Sequence, residues 1–160
     1  MGTTLALLIA MSANTSTQGA VQIKASGAGT GAGSVDIPLT VRRDPFRFLV
    51  VTVATREFIP NVTPDTFAVT FAGTPIPRRD CFIVNQAPNL SVCHYWLIDP
   101  PGGIDSLVDT RGGSTAPFDV AAIVYSGVDQ FNPIRVSNSF GNLSTGTTSQ
   151  LTLAGSNTSS

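Results

Sequence analysis

Residues 46–55, FRFLVVTVAT, form the strongest strand candidate in the chain. Successive positions in its middle are apolar, so both faces of the strand are expected to be covered, which is typical of a central strand. Residues 118–126, FDVAAIVYS, form a second run of this kind. Shorter β-branched and apolar runs, separated by clusters of Gly, Pro, Asn and Asp, surround these two. The pattern predicts an all-β fold, a single jelly-roll-like or immunoglobulin-like β-sandwich of about ten to twelve strands.

The composition narrows the class of protein. The chain has 160 residues, enough for one core, and only 12% of them are charged, about half the usual share. A formal net charge of −1 provides no electrostatic field that would attract nucleic acid. The apolar run near the N-terminus is far shorter than the ~20 residues that span a bilayer. We therefore expect an extracellular, cell-surface or virion protein that neither binds nucleic acid nor inserts into membranes.

The N-terminal residues 3–11, TTLALLIAM, stand apart from the other strand candidates. They make a poor signal peptide, because no Lys or Arg precedes Lys24. We predict that residues 1–19 form a docking or donor strand with its linker, and that residues 20–160 form the sandwich domain. The side chains expected to dock are those of Leu5, Leu7 and Ile9. The candidates to receive them are Phe46, Phe48, Val50, Val120, Ala122 and Val124.

Two cysteines, Cys81 and Cys93, flank the connector at residues 86–90. If residues 80–85 and 91–99 pair as a hairpin centred near Ala87, the two cysteines stand opposite each other. Cross-strand Cβ atoms at ~4.5–5.5 Å are close to what a disulfide spans. An even cysteine count in a Ser/Thr-rich β-protein favours an oxidising compartment, and two buried free thiols are the alternative.

Several motifs contain part of a known binding or catalytic pattern, but none of these patterns is complete. Residues 27–33, GAGTGAG, have alanine at position 32 where G-x-G-x-x-G requires glycine, and no helix follows, so a flexible loop is predicted. Cys93 and His94 are adjacent on a predicted strand and face opposite directions, so they do not converge on zinc. Neither a G-x-S-x-G turn nor a pair of catalytic acids is present, and we expect no enzyme.

Aspartates near predicted strand ends are the remaining cofactor candidates. Calcium sites of β-sandwiches lie at such positions, but a D-x-D-x-[DN] run is missing. We expect no cofactor, with calcium as the weak alternative. The residues concerned are Asp99, Asp105, Asp109 and Asp129.

Four blocks of sequence follow one another in a recognisable order: residues 48–55 (FLVVTVAT), 71–76 (FAGTPI), 95–103 (YWLIDPPGG) and 121–130 (AAIVYSGVDQ). They resemble a β-sandwich module of secreted multidomain bacterial proteins and phage structural proteins. Its signature is an LVV-type strand, a Y-G-G turn, a W-Y-L strand leading to P-P-x-G, and an S-G-V-D-Q strand end. No catalytic residues come with the resemblance.

The resemblance also implies a rearrangement. The module normally continues past the position of Leu153 with a loop and a G-D-L-V-type apolar strand. In this chain a strand of similar character, residues 4–10, precedes the domain instead. The resemblance therefore implies a permuted sandwich whose closing strand stands at the N-terminus. Such a strand would complete its own subunit or add to a neighbouring one.

These observations predict a non-enzymatic structural subunit that self-assembles through its N-terminal strand. The expected product is an extracellular, pilus-like filament or a virion surface built from copies of the chain. One alternative is a phage capsid decoration, head or tail protein. The other is a carbohydrate-binding module for surface glycans, with Tyr95 and Trp96 as its aromatic platform, although core packing explains a buried aromatic equally well.

Overall fold

The computed structural model describes residues 9–10, 20–57, 67–84, 89–112, 117–142 and 146–153. These residues contain strands and turns but no helix, and hence no helix able to cross a membrane. The strands are β1 (Ile9–Ala10), β2 (Gln22–Gly31), β3 (Ser34–Val41), β4 (Phe48–Glu57), β5 (Phe67–Phe71), β6 (Thr74–Ile76), β7 (Arg78–Val84), β8 (Asn89–Ile98), β9 (Gly103–Arg111), β10 (Phe118–Ser126), β11 (Ile134–Asn142) and β12 (Gly146–Leu153).

The strands form two antiparallel sheets and a smaller third one. The five-stranded sheet has the order β2-β10-β4-β8-β7, and the four-stranded sheet has the order β3-β9-β5-β6. The third sheet has the order β1-β12-β11, with β1 parallel to β12. The two strongest strand candidates become β4 and β10, each with a partner on both sides. The prediction of an all-β protein is confirmed, and the two large sheets are consistent with a β-sandwich.

The main core lies between the two large sheets. Strand β3 alternates between exposed and buried positions, and its buried side chains face those of β4, β8 and β10. Each large aliphatic or aromatic side chain buried in this way contributes about 1.5–3 kcal/mol. The core members include Ile37, Leu39, Leu49, Val51, Val53, Phe71, Tyr95, Leu107, Phe118 and Val120.

The outer face of the five-stranded sheet carries a second apolar cluster. Phe48 and Val50 of β4 pack there with Tyr125 of β10 and with Val128 just beyond it. Both faces of β4 are therefore buried, as its continuous apolar sequence predicts. Burial also raises the pKa of the Tyr125 phenol to about 12.

The glycine-rich residues 27–33 do not form the predicted loop. Most of them belong to β2, which pairs with β10 along its whole length. Alternate glycines of β2 face β3 in the opposite sheet, and a Cβ added at Gly29 would lie 2.7 Å from Cγ1 of Val35. The glycines thus allow an edge strand to lie close against the facing sheet. The prediction was wrong because glycine marks close backbone approach as well as flexibility.

Candidate functional site

The two cysteines lie directly opposite each other on β7 and β8. Cys81 pairs with Cys93 in the strand register, their Cα atoms are 4.1 Å apart, and a disulfide joins them. The bond closes a hairpin whose cysteines are 12 positions apart in sequence. Cys93 is buried in the main core, and Cys81 packs against that core. The disulfide thus ties an edge strand of the five-stranded sheet to its neighbour.

Removal of the disulfide is expected to lower the free energy of unfolding by about 2–3 kcal/mol, because the bond restricts the unfolded chain. Urea unfolding with and without reductant measures this loss. The Cys81→Ala/Cys93→Ala variant is the control. Its stability should match that of the reduced wild type and should not change when reductant is added. Equal stability of oxidised and reduced wild type would contradict the prediction.

The structure does not bring Tyr95 and Trp96 together as a ligand platform. Tyr95 is buried between the sheets, whereas Trp96 lies on the outer face of the same sheet. The Trp96 ring packs 6.5 Å from that of Phe48, and the guanidinium carbon of Arg79 lies 5.7 Å from its centroid. Neighbouring residues of a strand point to opposite faces, so one ligand cannot contact both rings.

The side chains expected to receive the N-terminal strand are also divided between two faces. Phe48 and Val50 lie on the outer face of the five-stranded sheet. Phe46 stands in the turn before β4 and is partly exposed. The other candidates, Val120, Ala122 and Val124, lie inside the sandwich. One docked strand cannot contact both faces, so these candidates belong to two alternative docking surfaces, and the prediction of which side chains receive the strand stays a prediction.

The docking strand itself is described only at its end. Ile9 pairs with Ser149, and Ala10 pairs with Gln150, both in β12. Leu5 and Leu7 lie outside the described residues. The backbone of β1 therefore joins the third sheet.

The four aspartates proposed for calcium do not converge. Asp99 forms an ion pair with Arg47, while Asp105 and Asp129 accept hydrogen bonds from nearby backbone amides. Asp109 is buried in β9, and burial raises the pKa of its carboxyl group to about 7. Within the described segments no group of three or more His, Cys, Asp or Glu side chains could hold a metal.

His94 lies in a buried polar row on the outer face of the five-stranded sheet. Its Nδ1 is 3.1 Å from Oγ1 of Thr52, and Asp80 pairs with it across β7 and β8. Burial lowers the pKa of His94, and the Asp80 charge opposes that effect. An acid, an imidazole and a hydroxyl thus lie in line. Thr52 lies in a strand that is paired on both sides. The backbone amides around it are therefore hydrogen-bonded to the neighbouring strands and are not free to bind the oxyanion of a reaction intermediate. The row is therefore interpreted as structural.

A cleft opens where three loops meet at one end of the sandwich. The loops are residues 42–47, 99–102 and 127–133, which connect β3 to β4, β8 to β9, and β10 to β11. The cleft has a volume of about 590 Å³, within the usual range of ligand pockets, about 300–1,000 Å³. It is lined by Arg43, Asp44, Pro45, Phe46, Arg47, Ile98, Asp99 and Gln130.

Arg47 lines this cleft and is held by residues of the other two loops. Its Nη2 donates a hydrogen bond to Oδ1 of Asp99, and its carbonyl oxygen accepts from the Asp99 amide at 3.0 Å. The side-chain amide of Gln130 donates to the same carbonyl at 3.2 Å and to that of Val128 at 2.8 Å. Phe46 has a φ angle of 58°, in the left-handed region that bulky residues rarely adopt, whereas Asp99, with a φ angle of 48°, is of a type that adopts it more often.

Three residues that line the cleft each have a buried polar atom without a hydrogen-bond partner among the described residues. They are Oδ2 of Asp44, Nε of Arg47 and Oε1 of Gln130. Lys24 is near Asp44 but only as an ion pair, with Nζ 3.8 Å from that oxygen. Unsatisfied buried polar atoms are rare in native proteins, so three of them among the lining residues are unusual.

The same end of the sandwich also carries exposed apolar side chains. Phe131 follows Gln130 and is 94% exposed, and Ile104 at the start of β9 is 79% exposed. Phe46 and Ile98 line the cleft, and Ile23 lies at the start of β2. Together these five are the large exposed hydrophobic residues among those whose side-chain burial the structure describes. Such a concentration is typical of a binding surface.

No sequence pattern predicted this cleft. Three of its eight lining residues come from two of the resemblance blocks: Ile98 and Asp99 belong to YWLIDPPGG, and Gln130 closes AAIVYSGVDQ. Both blocks end in turns, and these turns were the only feature of the sequence that pointed to a site here. Nothing in the sequence marked Arg47, because an arginine beside a predicted strand is usually solvated.

The fold and the cleft define the class as an all-β, sandwich-type protein with a ligand-sized cleft at one end of the sheets. Comparison with known proteins adds nothing to this class: no protein family, no curated protein and no solved structure matches the chain.

Proposed function

We propose that the protein is a non-enzymatic structural subunit that assembles with copies of itself by adding its N-terminal strand to a sheet edge. The supporting observation is the position of β1. It pairs in parallel with β12, at the edge of the β11–β12 hairpin, and with no described strand of the two large sheets. The N-terminal strand is thus an addition to a sheet edge.

An edge of this kind can pair with a strand from its own subunit or with a strand from a neighbouring subunit. The outer edge of β12 offers backbone N–H and C=O groups, and an edge strand is a ready template for another chain. The main-chain hydrogen bonds of strand addition are the same whether the strand comes from its own subunit or from a neighbour. Residues 11–21 separate β1 from β2 and span up to roughly 35 Å when extended. In the assembled state we propose that the strand crosses to the neighbouring subunit.

The chemistry of the chain is compatible with an assembly outside the cell. Disulfides persist in oxidising surroundings, including virion and cell surfaces, and this subunit carries one at Cys81–Cys93. A net charge of −1 causes little repulsion between neighbouring copies. Within this proposal the product is an extracellular filament or a virion surface layer.

Deletion of residues 1–12 is expected to abolish assembly while leaving the sandwich folded, because the buried members of the main core that the structure describes all lie between residues 35 and 124. Electron microscopy and light scattering compare the deletion variant with the full chain, and circular dichroism checks its fold. Deletion of residues 155–160 is the matched truncation control and should leave assembly unchanged. A synthetic peptide of residues 1–12 should bind the N-terminal deletion variant in trans.

Two results would contradict this proposal. One is normal polymer formation by the variant lacking residues 1–12. The other is a full-length chain that stays monomeric at every concentration tested, including those at which the peptide saturates the deletion variant.

A further inference from the structure

We propose that the free edge of β2 is an interface between two copies of the chain, in which the two β2 strands pair antiparallel about a two-fold axis. Each copy then extends the five-stranded sheet of the other. Strand β2 forms one edge of that sheet, and among the described strands only β10 pairs with it. This edge is separate from the assembly strand, since β1 pairs with β12. The proposal therefore does not depend on strand addition.

The four edge strands of the two large sheets, β2, β7, β3 and β6, differ in how they are protected. Native edge strands are usually short, or carry proline, charged residues or a bulge that hinders pairing with another chain. Strand β3 contains Pro38, whose nitrogen has no hydrogen to donate. Strand β6 has three residues, and Pro75 is one of them. Strand β7 begins with two arginines followed by Asp80, and its register shifts there.

Strand β2 lacks these protections over most of its length. It has ten residues, and residues 25–31 (ASGAGTG) contain neither a proline nor a charged side chain. Its one charged residue, Lys24, is the position that the register shift against β10 leaves without a partner. Ser26, Ala28 and Thr30 are exposed and small, so they leave room for the backbone of another strand. A long, unprotected edge is a template for strand addition.

The side chains of β2 favour a second copy of the chain over an unrelated peptide. Peptides that add to a sheet edge are selected by pockets that hold their alternate side chains. The inward positions 27, 29 and 31 of β2 are glycines packed against β3, which leaves no space there for a partner's side chain. A partner is therefore recognised through the backbone and through the charges at the two ends of the strand.

The charged side chains near this edge are opposite in sign at its two ends. Close to the β2–β3 turn lie Asp36 of β3 and Asp119, which is opposite Thr30 in the sheet and accepts a hydrogen bond from its hydroxyl. Lys24 lies six residues before Thr30, about 20 Å along the strand at ~3.3 Å per residue. Two exposed arginines, at positions 42–43, follow the far end of β3.

An antiparallel partner brings the basic end of each copy to the acidic end of the other. When Gln22–Gly31 overlaps fully with itself, the pairing is centred near Gly27, and Lys24 lies close to Thr30 of the other copy. Asp44 offsets the charge of Lys24, since its Oδ2 lies 3.8 Å from Nζ, and the two exposed arginines remain to attract the acidic end. Parallel pairing would place the two lysines side by side, which destabilises a sheet. The charges therefore favour the two-fold arrangement.

Cross-linking of full-length single-cysteine variants tests whether the two β2 strands meet. Ala28→Cys lies one position from the proposed axis. Ala68→Cys is the matched control, because Ala68 is an exposed alanine in β5, a strand with a partner on both sides. A short bismaleimide is expected to join Ala28→Cys into dimers and to leave Ala68→Cys monomeric on a denaturing gel. The native cysteines do not react, because the disulfide joins them.

A lysine on the same edge tests the energetics. Ala28→Lys is expected to weaken dimerisation about tenfold, because it places two lysines close together across the axis. Sedimentation equilibrium of the full-length chain, below the concentration at which polymers form, measures the dissociation constant. Ala68→Lys is the matched control and should leave that constant unchanged. The melting temperatures of both variants should stay near that of the wild type, since both residues are exposed.

Four outcomes would overturn the proposal. The first is equal dimer yield from the two cysteine variants, and the second is unchanged dimerisation of Ala28→Lys. The third is a full-length chain without dimers at every concentration below polymer formation. The fourth is loss of the cross-link at position 28 when residues 1–12 are deleted, which would make the N-terminal strand the occupant of this edge. A cross-link that persists in that deletion variant separates this interface from strand addition, even if strand addition itself fails.

Discussion

At pH 8 the Asp109→Asn variant is expected to be more stable than the wild type, by up to about 4 kcal/mol. At pH 4 the two proteins are expected to have nearly the same stability. The difference should develop between these values, because the wild type alone carries an ionisable group at this buried position.

The physical basis is the position of Asp109 in the four-stranded sheet. It pairs with Val35 of β3 on one side and with Val69 of β5 on the other. The residue has no exposed surface, and both carboxylate oxygens are buried without a hydrogen-bond partner in the described part of the chain. Burial raises the pKa of this carboxyl group from 3.8 to about 7.

The sign of the effect follows from proton binding. Between pH 3.8 and pH 7 the folded state keeps a proton on Asp109 that the unfolded chain has released. The unfolded state therefore binds fewer protons, and stability falls as the pH rises through this window. The stability linked to Asp109 is fully present below pH 3.8 and is lost above pH 7. Asparagine has no such proton, so its variant lacks this decline.

Urea unfolding from pH 4 to pH 8.5 measures the prediction as the difference between wild type and variant. His94 contributes in the opposite direction, because its lowered pKa makes the protein less stable as the pH falls below 6.5. That contribution is common to both proteins and cancels in the difference. Asp105→Asn, at an exposed position of the same strand, is the matched control for the replacement of a carboxyl group by an amide. Parallel profiles for wild type and Asp109→Asn would rule out this role of Asp109.

The burial of Asp109 follows from the alternation of residues along β9, although its sequence position suggests a strand end. Leu107, Asp109 and Arg111 alternate along β9, and all three are buried. Once Leu107 is placed in the core, the period of two places the other two beside it. Arg111 is accommodated there by Thr55, whose Oγ1 accepts a hydrogen bond at 3.3 Å, and by the Phe67 ring at 5.1 Å.

Local patterns predicted the fold well where each strand is specified by its own residues. The long apolar strands β4 and β10 and the pairing of Cys81 with Cys93 follow from alternation and from hairpin symmetry. The cleft did not follow, because Arg47, Asp99 and Gln130 are far apart in the chain and meet only through the packing of three loops. Contacts of that range depend on sheet order, which local patterns do not specify.

The glycines of β2 are a second example of packing that local sequence patterns do not predict. Composition makes residues 27–33 resemble a flexible linker, yet Gly27, Gly29 and Gly31 all face β3 in the opposite sheet. The connection between these strands has only two residues, 32 and 33. The chain therefore passes directly from one sheet to the other. Glycine is common in flexible linkers because its backbone is unrestricted, and it is common where strands pack closely because it has no side chain.

Gly31→Ala is accordingly expected to lower the free energy of unfolding by about 2–3 kcal/mol. A Cβ at this position would lie 2.6 Å from the carbonyl oxygen of Ser34 and 2.8 Å from Cγ2 of Val35. The first contact is with backbone, which cannot move aside without displacing the start of β3. Gly27→Ala, with its Cβ 2.4 Å from Cγ2 of Ile37, should have a similar effect.

Ala28→Val is the matched control, because Ala28 is an exposed residue of the same strand. It adds more volume than either glycine replacement and raises the β-propensity, so its effect should stay within about 0.5 kcal/mol. Urea unfolding of the three variants at one pH measures the differences. If Gly31→Ala were as stable as Ala28→Val, the glycines would be dispensable for packing, and β2 would have to lie further from β3 than the structure places it.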